Sequence, residues 1–407
     1  MGGLKEEREY MKCFVKVLML GVLIGGFLLI GPWGQYAMAY TVAEFGNNGF
    51  LDIDYQVQAR EAQSSIDANG NKNTTNNFYL QRDRLSFLGM ANETYGYALQ
   101  LEYVGGRKIG DTFVTDKASD YALTALDYYL TADYTDAFRI RVGKTKTQLT
   151  REVNDGCFDP LSIDRSPFIL GPFGNGDKTT RDTGVVIWGN LLNNVFQYRA
   201  AVMTGNNYGD QKPDNSGYRY TGRVHVSLLD PESGLGYKGS YLGKKKVLTF
   251  GAGYEMEPNA VYSTYNVATS TGTGAENYSA YTYDGFFEYP TEVGTFTLSG
   301  AYLKQDFNGA GTRGVPGAAE VYGEKNGDYW KAAYMLGKFQ VYGRMEKWAF
   351  ASLNGVVDQH IDWNAEGLNY YIKGQDLRLT LETEQIAFNK KPSTDFNTTI
   401  LQFQARF

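Results

Sequence analysis

Several features are scarce in this sequence, and each scarcity excludes a class of protein. The 407 residues include only 2 cysteines, 2 histidines and 10 prolines. Cys13 lies in an amino-terminal segment that we expect to be removed, so Cys157 has no partner for an internal disulfide. After that segment, no stretch approaches the ~20 consecutive apolar residues of a transmembrane helix. Any insertion into a membrane must therefore use strands.

The amino-terminal segment has the pattern of a secretion signal. Two lysines precede an apolar run over residues 17–30, and Ala-Met-Ala at 37–39 is a small-x-small cleavage site. We expect residues 1–39 to be a signal peptide and residues 40–407 to be the mature chain. The residues before Met11 are acidic, which is unusual for a signal, so Met11 is an alternative start of translation. An uncleaved anchor is the other interpretation, but the run is short for a membrane span.

What the sequence has in abundance is alternation of apolar and polar residues. Residues 377–388 and 398–407 place Leu, Ile and Phe at every second position and Arg, Thr, Glu and Gln between them, up to Phe407. Such a strand has one face for lipid and one for water. The mean hydropathy of −0.39 would suggest a soluble protein, but half of each strand in a barrel is wet. With 32 Tyr, 23 Phe and 48 Gly, the composition favours an outer-membrane β-barrel.

Reading the chain for period two predicts an all-β fold with sixteen antiparallel transmembrane strands. An even number puts both termini on the periplasmic side and lets the first and last strands pair, which closes the sheet. The predicted strands are 49–60, 78–91, 95–104, 121–134, 138–147, 183–190, 195–204, 218–229, 247–256, 278–289, 295–304, 328–336, 339–349, 359–372, 377–388 and 398–407.

The connections between these strands alternate between short and long, as in barrels with short periplasmic turns and longer external loops. One connection departs from this alternation: residues 230–246 stand where a short turn belongs. Its three consecutive lysines, Lys244 to Lys246, favour a solvated periplasmic turn over a binding site.

Six segments follow one another in a characteristic order: 78–89 (FYLQRDRLSFLG) before 95–103 (YGYALQLEY), 138–146 (FRIRVGKTK) with Glu152, 164–166 (DRS) ahead of 181–185 (RDTGV), and 196–206. In order and spacing they resemble the phosphate-selective porin O and P family of Gram-negative outer membranes. The resemblance covers most of the mature chain. It implies a sixteen-stranded, trimeric barrel whose third external loop folds into the channel as a constriction.

The corresponding loop here spans 148–182 and is the longest predicted connection. It has a high density of charges of both signs, which suits a transverse field across a narrow lumen. Its apolar residues could pack it against the inner wall; they are Leu161, Ile163, Phe168, Ile169 and Leu170. An ordinary extracellular loop is the alternative interpretation.

Alternation also assigns side chains to the lumen. In 218–229, for example, Arg219, Arg223 and His225 oppose outward tyrosines and valines. A row of guanidiniums lowers the barrier for anions because fixed charge replaces lost hydration. The predicted substrate path, with Arg165 assigned from the resemblance, consists of Arg82, Arg84, Arg139, Arg141, Arg165, Arg199, Arg219, Arg223 and Arg344. Lys144 and Lys146 would join it only if the strand bulges near Gly143.

Acidic residues fall on predicted inward faces as well, so ion-pair networks that stiffen the wall are an alternative to a substrate ladder. They are Asp52, Asp54, Glu102, Asp127, Asp284, Glu288, Glu346, Asp362, Glu366, Glu382 and Glu384.

Enzymatic barrels need a base beside a nucleophile. His225 and His360 each lack a local triad arrangement, so we expect no enzyme.

These observations predict a porin of the Gram-negative outer membrane for passive diffusion of small hydrophilic solutes, with anions such as phosphate favoured. No cofactor or metal is implied, and a net charge of −6 argues against a nucleic-acid partner. Expected partners are small anions, outer-membrane lipid and lipopolysaccharide, and two further copies in a homotrimer. Phe407 is the expected signal for barrel assembly. The alternative is a barrel that sheathes an electron-carrying protein or serves in surface adhesion.

Overall fold

The structure, a computed structural model, describes residues 40–46, 48–66, 71–104, 122–169, 180–206, 212–266, 268–310, 323–353 and 355–407. The predicted signal peptide at 1–39 and Leu170 lie outside these ranges. Among the described residues, no helix has both the length and the apolar character needed to cross a membrane.

Sixteen antiparallel strands form one closed barrel, which confirms the predicted fold class. The barrel strands are β2 (Gly49–Ser64), β3 (Thr75–Met90), β4 (Tyr95–Val104), β5 (Ala122–Thr135), β6 (Phe138–Lys146), β7 (Arg181–Leu191), β8 (Phe196–Met203), β9 (Arg219–Ser227), β10 (Val247–Val261), β13 (Glu276–Thr291), β14 (Gly294–Asp306), β15 (Lys325–Leu336), β16 (Phe339–Leu353), β17 (Val356–Lys373), β18 (Leu377–Phe388) and β19 (Phe396–Arg406). Each strand pairs with its neighbour in sequence, and β19 pairs with β2 to close the ring.

Three short strands were not predicted. β1 (Tyr40–Phe45) folds back on the first residues of β2, while β11 (Thr264–Asn266) and β12 (Thr271–Thr273) form a small hairpin in the loop after β10. The carboxyl-terminal Phe407 exchanges two backbone hydrogen bonds with Tyr55, and their rings stack 6.4 Å apart. These contacts extend the seam between β19 and β2 to the last residue.

The alternation of residues sets which face of each strand is wet. In β9, Tyr220 and Val224 point outward and are exposed, whereas Arg219 and Arg223 point inward and are buried. The outer wall of β4 to β10 follows the same rule with Leu, Val, Ile, Phe and Tyr. An apolar exterior on a closed barrel is the architecture of an integral outer-membrane protein.

The lumen is filled to a large extent by the chain itself. The constriction loop, the connection between β6 and β7 (residues 147–180), is buried inside the barrel over its described part, 147–169. Three apolar side chains pack on different parts of the wall: Leu161 contacts Tyr342, Ile163 contacts Tyr79, and Phe168 sits among Trp348, Phe350 and Trp363. The predicted inward fold of this loop is confirmed, as is the packing of its apolar residues at the described positions.

Candidate functional site in the barrel lumen

The constriction loop is fixed to the wall by hydrogen bonds as well as by apolar contacts. The backbone N–H of Ile163 donates to Glu382 at 2.9 Å, and the Ser166 hydroxyl donates to Glu346. Arg378, on the same strand as Glu382, donates to the carbonyl of Pro160 at 2.9 Å. Because buried backbone groups need partners, these wall side chains specify where the loop lies.

A second segment enters the lumen from the periplasmic end. The inner turn, residues 228–246 between β9 and β10, buries Leu235 in a cluster with Val186 and Trp188, and buries Glu232 and Tyr237 as well. The sequence predicted only a solvated turn here. That expectation holds for Lys244 and Lys246, which are exposed, but it is wrong for residues 232–241, which fold inward because they carry apolar and pairing groups.

The constriction loop and the inner turn meet. Arg151 forms a two-point ion pair with Glu232, with both N–O distances at 2.6 Å. The Tyr237 ring lies beneath the guanidinium groups of Arg151 and Arg199, whose central carbons are 4.6 and 4.3 Å from its centroid. Positive charge over an aromatic face is favourable, more so away from water. Burial would raise the pKa of Glu232, but Arg151 lowers it to about 2.

On one side of the lumen the predicted arginines are buried in ion pairs. This packed side is the inner face of β8 to β10 and β13 to β19. Arg223 binds Asp284 through two contacts of 2.6 and 2.8 Å. Arg219 lies 3.4 Å from Asp182 and 3.6 Å from Glu257, and Arg344 lies 3.1 Å from Glu384.

Two further arginines, on β3 beside the packed side, are also paired. Arg84 binds Glu102 at 2.7 Å, and Arg82 binds Asp164 of the constriction loop at 2.9 Å. Arg60, which the sequence analysis did not select, also binds Asp164 at 3.1 Å. Burial would raise the pKa of Asp164, but the charges of Arg82 and Arg60 lower it well below its ordinary value.

On the other side, the described residues leave part of the lumen accessible. The open side is the inner face of β4 to β6, where Gln100, Tyr129 and Thr131 keep part of their surface accessible. Arg141 also lies there, with its guanidinium 3.9 Å from the centroid of the Tyr129 ring. Arg139 sits nearer the periplasmic end and pairs with Asp136. Thus two predicted path residues line accessible space.

The constriction loop and the last residue of β6 add two cations to this side. Arg165 is partly exposed and donates to the carbonyl of Val153 at 3.0 Å, and Lys146 reaches the carbonyl of Asp155 at 2.6 Å. Within the described ranges, Arg141, Lys146 and Arg165 have no carboxylate within 4 Å of their charged nitrogens. Arg141 and Arg165 thus carry positive charge that no described carboxylate neutralises by direct pairing.

Lys146 reaches the lumen without the expected bulge. The pairing of β6 with β5 runs through Gly143 without a register shift, yet Gly143 has a φ of +132°. A side chain there would bring its Cβ to 2.3 Å from the carbonyl oxygen of Tyr128. The close approach at position 143 therefore requires glycine. The alternation continues through Lys144, which lies beside the outward Tyr128 and donates to the carbonyl of Ala125. Lys146 is the last residue of β6, and its long side chain reaches the carbonyl of Asp155 inside the lumen.

Two acidic residues predicted to face the lumen do not. Asp362 and Glu366 are exposed on the outer face of β17, whereas Ile361, Trp363 and Ala365 between them are buried. The inward residues of β17 are the apolar ones, because the constriction loop packs Phe168 against them. The usual relation of polar inside and apolar outside is therefore inverted over residues 361–366 of this strand.

Arg199 differs from the other buried arginines. It donates to Gln197 at 2.7 Å and to Gln148 of the constriction loop at 3.3 Å. Its guanidinium also lies against the face of the Tyr237 ring. Nearby, His225 is buried and shares a 2.7 Å hydrogen bond with the Tyr237 hydroxyl. A buried ring with a tyrosine partner is a wall residue, and among the described residues it forms no nucleophile and base arrangement.

Cys157 is buried in the constriction loop near the positive groups. Burial would raise the pKa of its thiol, but the charges of Arg165, Arg84 and Lys146 lower it well below its ordinary value. Its low exposure, 5 %, shields the sulfur from bulky reagents. The sequence analysis selected Cys157 only as the single thiol of the mature chain.

Sequence reasoning missed the residues that join the two inward segments. Arg151 is one of the many charged residues of the constriction loop, and nothing in the sequence distinguishes it from the others. Glu232 and Tyr237 lie in the connection that the sequence analysis interpreted as a turn. The length of that connection and its Leu235 and Tyr237 were the available signals, since a solvated turn needs neither.

Comparison with known proteins gives similarity in fold. No protein-family model matches the sequence. No curated protein matches it either. Among solved structures, OprB of Pseudomonas putida has a TM-score of 0.56 at 10 % identity, with 88 % of this chain and 94 % of that chain covered. An anion-selective porin from Comamonas acidovorans has a TM-score of 0.55 at 11 % identity, covering 88 % and 100 %. The channel DcaP of Acinetobacter baumannii has a TM-score of 0.53 at 11 % identity, covering 90 % and 100 %.

At these identities the likeness concerns the fold, which is that of outer-membrane porins. It supports the general part of the expected resemblance, a Gram-negative porin barrel. The phosphate-selective family is not among these neighbours.

Proposed function

We propose that the protein is a passive diffusion channel of the outer membrane for small hydrophilic anions. The observation that carries the proposal is the open side of the lumen, where Arg141, Lys146 and Arg165 are accessible or partly accessible and lack a carboxylate partner among the described residues. Fixed positive charge in a narrow passage raises the local concentration of anions.

Phosphate is one candidate among these anions, and it rests on the sequence resemblance. Arginine suits tetrahedral oxyanions because its planar fork offers several N–H donors. Arg141 donates one N–H to Thr145 at 3.1 Å, and the side chain keeps part of its surface accessible. A passing anion can therefore exchange water for this guanidinium without breaking an ion pair.

The test is the reversal potential of purified protein in a planar bilayer under a salt gradient. We expect anion selectivity, and we expect Arg141→Gln, Lys146→Gln and Arg165→Gln together to move the potential toward that of a cation channel. The matched control carries Lys304→Gln, Lys338→Gln and Lys390→Gln, which remove the same charge outside the lumen. A cation-selective wild type, or a lumen variant identical to the control, would overturn the proposal.

The alternative of a sheath for an electron-carrying protein is less compatible with the lumen. Over the described residues, the constriction loop and the inner turn occupy the space that such a partner would need. Co-purification with a haem protein would favour the sheath. Conductance of the isolated protein would favour the channel.

We also propose that the barrel associates with further copies of itself, as the resemblance implies for a trimer. Tyr370 stacks on Phe339 near the periplasmic end of the barrel. Glu366 precedes Tyr370 by four residues on β17, which places it about 13 Å from Tyr370 toward the external end. That distance is near the middle of a ~25 Å apolar band, where a charged side chain is unfavourable against lipid. Neighbouring outward positions are polar too: Asn364, Thr383, Gln385, Thr399 and Glu61.

A second copy would cover this polar outer face. Asn364→Trp should then disrupt the oligomer on a native gel while the folded monomer persists, whereas Val224→Trp, on the apolar outer face, should leave it intact. Equal behaviour of the two variants would contradict this assignment of the interface.

Two further elements of the proposal concern export and assembly. Residues 1–39 are proposed as the cleaved signal, with amino-terminal sequencing of the mature protein as the test.

Phe407 and Phe403 share the outward face of the last strand, where barrel-assembly machinery is expected to bind. Deletion of Phe407 should lower the amount of heat-modifiable barrel without altering secretion, and unchanged amounts would refute this role. If Phe407 is an interfacial anchor alone, only stability should fall.

A further inference from the structure

The inner turn, residues 228–246, is built as a part of the lumen and not only as a connection. Its tip is fixed to the wall of β7 and β8. Gln197 donates to the carbonyl of Gly234 at 3.2 Å, and Asn190 donates to the carbonyl of Ser233 at 2.9 Å. Leu235 packs with Trp188 and Val186 in the same place.

The other face of the inner turn is fixed to the constriction loop. Tyr237 donates from its backbone N–H to the carbonyl of Asn154 and accepts from the N–H of Gly156, each at 3.1 Å. Together with the two-point ion pair between Arg151 and Glu232, these bonds make one rigid body of the two inward segments. Breaking one partner of a buried ion pair leaves an uncompensated charge, so the junction is expected to be strong.

The tip of the inner turn also borders the periplasmic end of the open side. Leu235 contacts Trp188, and the guanidinium of Arg139 lies 4.6 Å from the Trp188 ring centroid. Arg139 follows the short turn between β5 and β6, so it marks the level at which a solute would leave the lumen.

We propose that the inner turn is the periplasmic half of the constriction and sets the size of the solutes that can leave the pore past Arg139, Trp188 and Leu235. The inference rests on the proposed diffusion function. It assigns size selection to two segments that enter from opposite ends and are joined at Arg151, Glu232 and Tyr237.

The experiment measures single-channel conductance in potassium chloride and the largest neutral polyethylene glycol that enters the pore. Replacing residues 233–239 by two glycines should raise the conductance about twofold or more and admit larger polymers, because the cross-section at the exit increases. Lys244→Gln, an exposed change in the same turn, is the control and should match the wild type. Heat-modifiable migration on a gel checks that each barrel is folded.

Point variants keep the inference testable if the shortened protein does not assemble. Leu235→Ala removes bulk at the exit, and Glu232→Gln removes the ion pair with Arg151 while keeping the shape. Each should raise the polymer cut-off, by less than the shortened turn. Folded variants with the conductance and cut-off of the wild type would overturn the role of the inner turn.

The outcomes separate this inference from the proposed function. A conducting wild type with unchanged variants contradicts the inner turn alone. A silent wild type whose shortened variant conducts contradicts free diffusion but supports the inner turn as the obstruction. If neither protein conducts, both proposals are wrong.

Discussion

The packed side and the open side of the lumen use the same residue type in different ways. On the packed side, Arg223 and Arg344 are buried and bind carboxylates two strands away in the sheet. On the open side, Arg141 lies on a tyrosine ring and keeps part of its surface accessible. A guanidinium that is neutralised by a buried carboxylate stabilises the wall, whereas an unpaired one adds field to the passage.

The difference arises from what each arginine faces. On the packed side the constriction loop and the inner turn displace water, so a charge there must find a partner. Next to β4 to β6 the loop leaves accessible space, so water can solvate the cations. The ion-pair interpretation of the arginines therefore applies to the packed side, and the substrate-path interpretation remains a prediction for the open side.

Removing a packed-side arginine should give the largest effect on stability. Arg344→Ala leaves Glu346, Glu382 and Glu384 without their shared cation. We expect the free energy of unfolding to fall by about 3–5 kcal/mol, as for other broken buried ion pairs. Urea titration of the barrel in lipid vesicles measures it. Arg141→Ala on the open side is the comparison, and an equal loss there would remove the distinction between the two sides.

Thiol labelling measures how well the packed loop excludes reagents. Cys157 is buried, whereas Asn266 in the external loop after β10 is exposed. On whole cells, a bulky impermeant maleimide should label Cys157 on the order of 100-fold more slowly than Asn266→Cys in a Cys157→Ser background, because labelling requires local opening. A small reagent should narrow the gap, since the thiol is readily ionised. Equal rates with the bulky reagent would contradict the packed position of the loop.

Selectivity should separate two arginines that the sequence analysis grouped together. Arg165→Ala should move the reversal potential toward cations and weaken block of chloride current by phosphate, because Arg165 is partly exposed beside the open side. Arg223→Ala should change the potential less and lower stability instead, because Arg223 is buried away from the open side and its loss leaves Asp284 unpaired. The reverse result would place the filter on the packed side.

Acidification should strengthen the docking of the constriction loop on the inner turn, an effect smaller than those of the substitutions above. Burial raises the pKa of Asp155 in the constriction loop to about 7, with Arg151, Glu152, Lys331 and Glu232 as the charged groups around it. The docked loop thus binds a proton more readily than a loop in water, so docking is favoured as pH falls from about 7 toward the ordinary value of 3.8. Glu232 stays ionised in this window.

We therefore expect conductance to decrease between pH 8 and pH 5, as measured in planar bilayers. Asp155→Asn should remove the pH dependence and hold conductance near its low-pH level. A wild-type conductance that is independent of pH over this range would show that the docking of the loop does not depend on Asp155.

Much of the fold could be predicted because a barrel strand is a local pattern. In β9 and in residues 377–382 of β18 the two-residue period alone separates the apolar outer face from the polar inner face. The same rule failed in β17, where Asp362 and Glu366 point outward. There the inner face is apolar to receive Phe168, and the contact joins residues far apart in sequence.

Side-chain alternation and connection length are encoded residue by residue, so the sixteen strands, their antiparallel order and the inward faces that carry most of the arginines follow from the sequence. Which of those arginines are neutralised depends on contacts made in the folded barrel. Pairing depends on carboxylates from other strands, such as Asp284 for Arg223 and Asp164 for Arg82. It also depends on two segments that meet inside the barrel, and their meeting at Arg151 and Glu232 joins positions 81 residues apart.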